Sequence, residues 1–148
     1  MNTLYVRPRW AACVALFAFV FALAPVANAQ QAVFADKDQV WWDSLENQLT
    51  TSLDSSIEQI QEQALQHIIF FATNYRDNVD LTNAAVKVLD LYETGTDDTH
   101  RTLALMALHA IGNEYTMNRL SETVQWESSK RIQQLTLAVL ADYYSQTT

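Results

Sequence analysis

The chain is 148 residues long, with 17 acidic against nine basic residues for a net charge of −8, and it holds two glycines, two prolines and one cysteine. Such an acidic surface excludes nucleic acid and anionic lipid as natural partners, since phosphate is held by lysine and arginine. So few turn formers exclude a β-sandwich or barrel, which needs many tight turns.

The first 29 residues read as a secretory signal peptide. Met1 to Trp10 carries Arg7 and Arg9 and no acid, and Ala11 to Leu23 is unbroken apolar sequence. Pro25 then breaks the run, and Ala27-Asn28-Ala29 supplies small residues for a signal peptidase. The apolar run falls short of the roughly 20 residues that span a bilayer, and Cys13 lies inside it, away from a lipoprotein cleavage point. Cleavage after Ala29 starts the mature chain at Gln30 and predicts a secreted or periplasmic (cell-envelope) protein with no stable membrane insertion. The mature chain keeps about 119 residues, the size of one domain. It has no cysteine and no proline, and its seven basic against 17 acidic residues give a net charge of −10. Its stability then rests on apolar burial alone.

Residues 30–53 form a polar lead and an N-terminal capping helix. The lead, Gln30 to Gln39, reads as loose. Trp42, Leu45, Leu49 and Leu53 recur at three- and four-residue steps, which places them on one face of a helix from about Asp38 to Ser52. Trp41 and Trp42 are adjacent and point to different faces, which suits plugging the end of a helical stack better than a flat sugar platform. From residue 54 to 148 the pattern is helical throughout. Asp54-Ser55-Ser56 offers a cap. Ile57, Ile60, Ala64, Ile68 and Phe71, with Leu65 and Phe70 beside them, stripe a helix running to about Tyr75. After the turn Asp77-Asn78-Val79-Asp80, with Asp80 or Thr82 as cap, a third helix buries Leu81, Ala84, Ala85, Val88, Leu89 and Tyr92. Gly95 is expected to end it in the left-handed conformation. Thr96-Asp97-Asp98 begins a central helix in which every residue from Leu103 to Ile111 except His109 is apolar, so it is expected to be buried on several sides. Gly112-Asn113 stops it. A short helix from about Glu114 to Val124 turns Met117 and Leu120 inward. Trp126 falls in a turn. Ser128 or Ser129 caps a last helix striped by Ile132, Leu135, Val139 and Tyr143, with Leu137, Ala138 and Leu140 alongside. No stretch alternates with period two, so no sheet is expected.

The central helix has copies. Ile60-Gln61-x-x-Ala64-x-x-His67-Ile68-x-x-Phe71-Ala72 aligns with His100-Arg101-x-x-Ala104-x-x-Ala107-Leu108-x-x-Ile111-Gly112 at an offset of 40 residues. A third copy keeps Arg131, thirty residues after Arg101. Its core then fits one residue later, with Leu135, Ala138 and Val139 under Ala104, Ala107 and Leu108. The central copy resembles the short HEAT-like helical repeats, including those of the phycobilin-lyase type, whose pattern is Asp-Pro-x-Val-Arg-x-x-Ala-x-x-Ala-Leu-x-x-Ile-Gly. Asp97, Arg101, Ala104, Ala107, Leu108, Ile111 and Gly112 match; Asp98 replaces the proline and His100 the valine. The resemblance implies an all-α fold, a short right-handed α-solenoid of helix pairs, and a rigid protein-binding or assembly surface. The motif marks packing positions and carries no catalytic residues. Periodicity alone leaves a closed four- or five-helix bundle open as the alternative.

Chemistry is sparse. His67 lies on the expected inner stripe, as a core or groove histidine. Glu62 and His67 are five apart, off the four-residue step that puts two zinc ligands on one face. Asp97, Asp98 and His100 are accounted for by helix capping, with a metal site there as the rival. Asp36, Asp38 and Asp43 lack the glycine and the distal acid of a calcium loop. No nucleophile motif and no phosphate loop is present. Arg101 and Arg131 are expected to line one ridge, either as a ladder of ion pairs between helices or as an anion-binding strip. The expectation is therefore a non-enzymatic protein with no cofactor, no metal and no catalytic residue. It binds a protein or peptide partner in a groove formed by the helices that carry His67, Arg101, His109 and Arg131. A small-ligand or metal-binding helical module in the cell envelope is the alternative.

Overall fold

Six α-helices and one 3-10 turn follow one another, and there is no strand among the described residues, 33–147 of the computed structural model. The signal-peptide expectation and the start of the lead lie outside them. The fold is all-α. The helices are α1 (Gln39–Leu53), α2 (Glu58–Asn74), α3 (Thr82–Thr94), α4 (Asp98–Ile111), α5 (Glu114–Thr123) and α6 (Lys130–Thr147), with the 3-10 turn Val124–Trp126 between the last two. Lys37–Thr148 forms one compact unit, described here by itself. The lead is not wholly loose, since residues 33–35 are helical.

Four helices begin on side-chain caps, where an oxygen satisfies an amide that has no partner in the first turn; the last, α6, uses the expected Ser129, whose hydroxyl accepts from Ile132 N at 3.4 Å. Asp38 accepts from Trp41 N at 2.9 Å, Asp97 from His100 N at 2.8 Å and Asn113 from Thr116 N at 3.2 Å. The expected cap of α2 is corrected. Its N-cap is Ile57, with no side-chain bond. The Ser55 hydroxyl accepts from Ile57 N at 3.1 Å in a turn before the helix, and the Asp54 carboxylate pairs with Lys87 of α3. Asp80 does accept from Thr82 N, at 3.0 Å, although Leu81 is the residue that precedes α3. At the other ends, Gly112 stops α4 at φ 64°, where a side chain would be strained. Gly95 does not take that conformation: its φ is −61°. It is needed for close approach instead, since a Cβ there would lie 2.7 Å from Leu91 O and 2.8 Å from Arg101 Cγ.

Consecutive helices pair, α1 with α2, α3 with α4 and α5 with α6, and like members of neighbouring pairs also pack: α1 on α3 on α5, and α2 on α4 on α6. This makes two layers. The central helix α4 touches α2, α3, α5 and α6, and its Ala104, Leu105, Ala107 and Leu108 are fully buried. Alanine at two of these positions lets adjacent backbones come close. The helix is not enclosed all round, because Met106 is 45% exposed. The α3 stripe is buried throughout, as expected. On α2 the buried face is Ala64, Leu65, Ile68, Phe71 and Ala72, whereas Ile57 and Ile60 are exposed. Ile60, Gln63 and His67 follow a three-then-four step along the edge of that face, where no neighbouring helix covers them, so the inner-stripe placement of His67 is corrected: it is exposed. On α6, Leu137 and Ala138 are likewise exposed. Trp42 is buried against Phe71 and Tyr75, with ring centroids 6.0 and 5.4 Å away, and stands at 87° to the Trp41 ring. That geometry is core packing, and the two indoles share no platform.

Candidate functional site

The layer α2–α4–α6 carries a shallow cleft of about 360 Å³, walled by Glu62 and Gln66 of α2, Thr102, Leu103 and Met106 of α4, and Arg131 of α6. It crosses all three second members of the helix pairs. Its middle is apolar, through Met106 and the half-buried Leu103, and its edges carry opposite charges, Glu62 and Arg131. Arg131 forms no ion pair or hydrogen bond with another described residue, so its guanidinium keeps its donors for solvent or a ligand.

The other three sequence-derived candidates are not brought together there. Arg101 belongs to α4 but faces α3 and the turn before α6. Its Nε donates to Tyr92 O at 2.9 Å, its guanidinium lies 5.1 Å from the Tyr92 ring centroid, and it forms a two-pronged ion pair with Glu127. The Arg101 and Glu127 side chains are only 12% and 9% exposed. The Arg101 guanidinium beside Glu127 holds that carboxyl below the usual carboxylate range, against the opposing effect of burial. Ser129 N also donates to Glu127, at 2.8 Å. Beneath this, Tyr92 Oη donates to Thr136 Oγ1 at 2.8 Å, and Thr136 donates on to Ile132 O. Burial pushes the Tyr92 phenol up, which keeps its proton in place for that bond. Arg101 is therefore a structural clamp. The expected common ridge with Arg131 does not form, because the buried Leu105 and Leu108 of α4 correspond to the buried Thr136 and Val139 of α6. At that spacing Ile132, not Arg131, lies under Arg101, and one residue turns a helix by about 100°.

His109 is half-buried, and its Nε2 donates to Asp142 of α6 at 2.8 Å. Gln146 donates to the same carboxylate oxygen at 2.7 Å. His67 stands exposed on α2, apart from both groups.

The third histidine has an unexpected setting. His100 is buried, 6% exposed, in the first turn of α4. The acids next to it in sequence are engaged elsewhere. Asp97 accepts from the His100 backbone amide, which holds its carboxyl below the ordinary value, and Asp98 accepts from Ser129 Oγ at 2.6 Å. The rival metal site of Asp97, Asp98 and His100 is thereby removed. The carboxylates that face the imidazole come instead from α2: one ligand atom each from Glu58, Glu62 and His100 lie within 4.8 Å of one another. His100 Nδ1 is 3.9 Å from Glu58 Oε1, and it is buried without a hydrogen-bond partner. Sequence reasoning missed this group. One half of it was visible, since Glu58 and Glu62 are a four-residue pair on one helix face; the other half depends on how α2 crosses α4. The acidic lead forms no comparable cluster, because Asp38 caps α1 and Asp43 accepts from Gln39 Nε2 at 2.9 Å.

No helix among the described residues is long and apolar enough to cross a membrane. Comparison of the chain with protein-family models, with curated proteins and with solved structures gives no match.

Proposed function

We propose that this chain is an exported, non-enzymatic scaffold built from HEAT-like helix pairs, and that it holds a protein or peptide segment along the α2–α4–α6 layer. The observation that carries the proposal is the cleft itself. It runs across the like members of all three pairs, with an apolar floor at Met106 and Leu103 and an unpaired Arg131 at one edge. Stacked pairs that touch only their neighbours present such an extended face, already formed before a partner arrives. A preformed surface loses little conformational entropy on binding. The apolar floor supplies contact area, and Arg131 selects a segment that carries an acidic group opposite it. The dense packing of α4 keeps the floor rigid.

The test is a pull-down from the cells that make the protein, using the wild-type chain beside Met106→Asp and Arg131→Glu. Both residues are exposed, so both variants should fold. Wild type should retain a partner at gentle salt that each variant loses. Equal recovery by all three proteins, or no partner with any of them, refutes the assignment of this face.

A further inference from the structure

We infer that Glu58, Glu62 and His100 form a three-ligand site for a first-row divalent cation of the zinc class, bridging the first two helix pairs. The site shares Glu62 with the neighbouring cleft, but the case for it does not rest on partner binding there.

Three observations converge. The first is placement. Glu58 and Glu62 are four residues apart on α2, so their carboxylates lie side by side on one face. The packing of α2 on α4 sets His100 against that face. Two like charges at this spacing disfavour a helix in isolation, and a cation between them reverses the sign of their effect. The second is the imidazole. His100 Nδ1 is shut away from water with no hydrogen-bond partner, a condition that a buried polar atom meets only at a cost. Its nearest carboxylate oxygen, at 3.9 Å, is too far for a hydrogen bond. The third is distance. Two ligands each roughly 2.0–2.1 Å from a tetrahedral zinc lie about 3.3 Å apart. The Nδ1 to Oε1 gap of 3.9 Å exceeds that by about 0.6 Å, and all three ligand atoms lie within 4.8 Å of one another, so the carboxylates must draw in to bind. The Glu58 side chain is 61% exposed and free to swing inward.

The donor set selects the metal. One imidazole nitrogen and two carboxylate oxygens suit zinc, cobalt or manganese. Calcium and magnesium prefer oxygen alone, and copper(I) prefers sulfur. Three protein ligands leave a coordination position for water. Glu58 and His100 also line a shallow cleft of about 320 Å³ that Ser55, Gln61 and Thr96 help to wall, which gives a cation a path from solvent.

Calorimetric titration of the whole chain with ZnCl2, and with CoCl2 monitored by visible absorption, tests the site. One equivalent should bind, the cobalt complex should show ligand-field bands, and the melting temperature should climb as zinc is added. Glu62→Gln and His100→Gln should each weaken binding at least tenfold, while His67→Ala and His109→Ala leave it unchanged. Circular dichroism checks that the variants fold; Glu62 is only partly covered, so its variant remains informative if the buried His100→Gln does not fold. Absence of heat and of cobalt bands up to millimolar metal would overturn the site. So would wild-type affinity in Glu62→Gln, or a loss confined to the His67 or His109 variant.

Discussion

Arg101 gathers more of the structure than any other side chain in the second half of the unit. It reaches the carbonyl of Tyr92 at the end of α3, covers that residue's ring, and grips Glu127 just before α6. Breaking a buried pair by removing one partner leaves an uncompensated charge, so Glu127→Gln should lower unfolding stability by about 3 kcal/mol. The pH dependence has a fixed sign. Glu127 has a lower pKa folded than unfolded, so its contribution is complete above the unfolded value of about 4.3. It fades as pH falls through the depressed folded value. Urea denaturation between pH 3 and 7 should therefore show wild type losing stability below about pH 4 more steeply than Glu127→Gln does; parallel profiles would show that the pair does not hold the turn. The two glycines show how far single residues can be read. Both stand after helices, and sequence logic gives both the same left-handed role. Only Gly112 has it. Gly95 is small because Arg101 passes over it on the way to Glu127, a contact 26 residues across the chain that no local pattern contains.

At the scale of the helix, periodicity recovers each element and most buried faces, because a stripe repeating every three to four residues has one way to hide. The α3 stripe is correct residue by residue. Errors fall where the apolar run outlasts the neighbour that covers it: Ile57 and Ile60 at the start of α2, Met106 on α4, Leu137 on α6. Hydrophobicity states what can be buried, and packing decides what is. Two variants separate those cases on α4. Leu108→Ala opens a fully buried site and should cost roughly 2–5 kcal/mol. Met106→Gln, a few residues away on the open side, should stay within about 0.5 kcal/mol of wild type. Chemical denaturation of both would check it, and a large loss from Met106→Gln would mean that its side is covered. The candidate ligand group marks the opposite limit. His100 was legible as a first-turn residue beside two acids, but its facing carboxylates stand about forty positions upstream. Bringing them together requires the rotational phase between two helices, which neither helix encodes alone.

In the unit as a whole, polar contacts concentrate at the seams between pairs. Between the first and second pairs run Lys87 with Asp54, Asn83 to Glu46 at 3.1 Å and Arg76 to Ala110 O at 2.8 Å. Between the second and third run Arg101 with Glu127, Arg119 to Glu93 at 3.2 Å, His109 with Asp142 and Tyr92 with Thr136. The exposed members of this set add little stability each, but their directions fix which neighbour a pair accepts and in what register. The apolar faces alone would tolerate slippage, since one leucine resembles another. Charge and hydrogen bonding therefore specify an arrangement that hydrophobic burial makes stable.

Trp126, in the 3-10 turn, is 79% exposed, whereas Trp42 in the first helix is almost wholly covered. Indole emission shifts with the polarity around the ring, so the first and last helix pairs carry native optical labels of different colour. Acrylamide should quench a long-wavelength component of the fluorescence that vanishes in Trp126→Phe. In that variant, with Trp10 also replaced by Phe, the remaining signal comes from Trp41 and Trp42 in the first helix, and a denaturation curve followed at the two wavelengths tells whether both ends melt together or one lets go first.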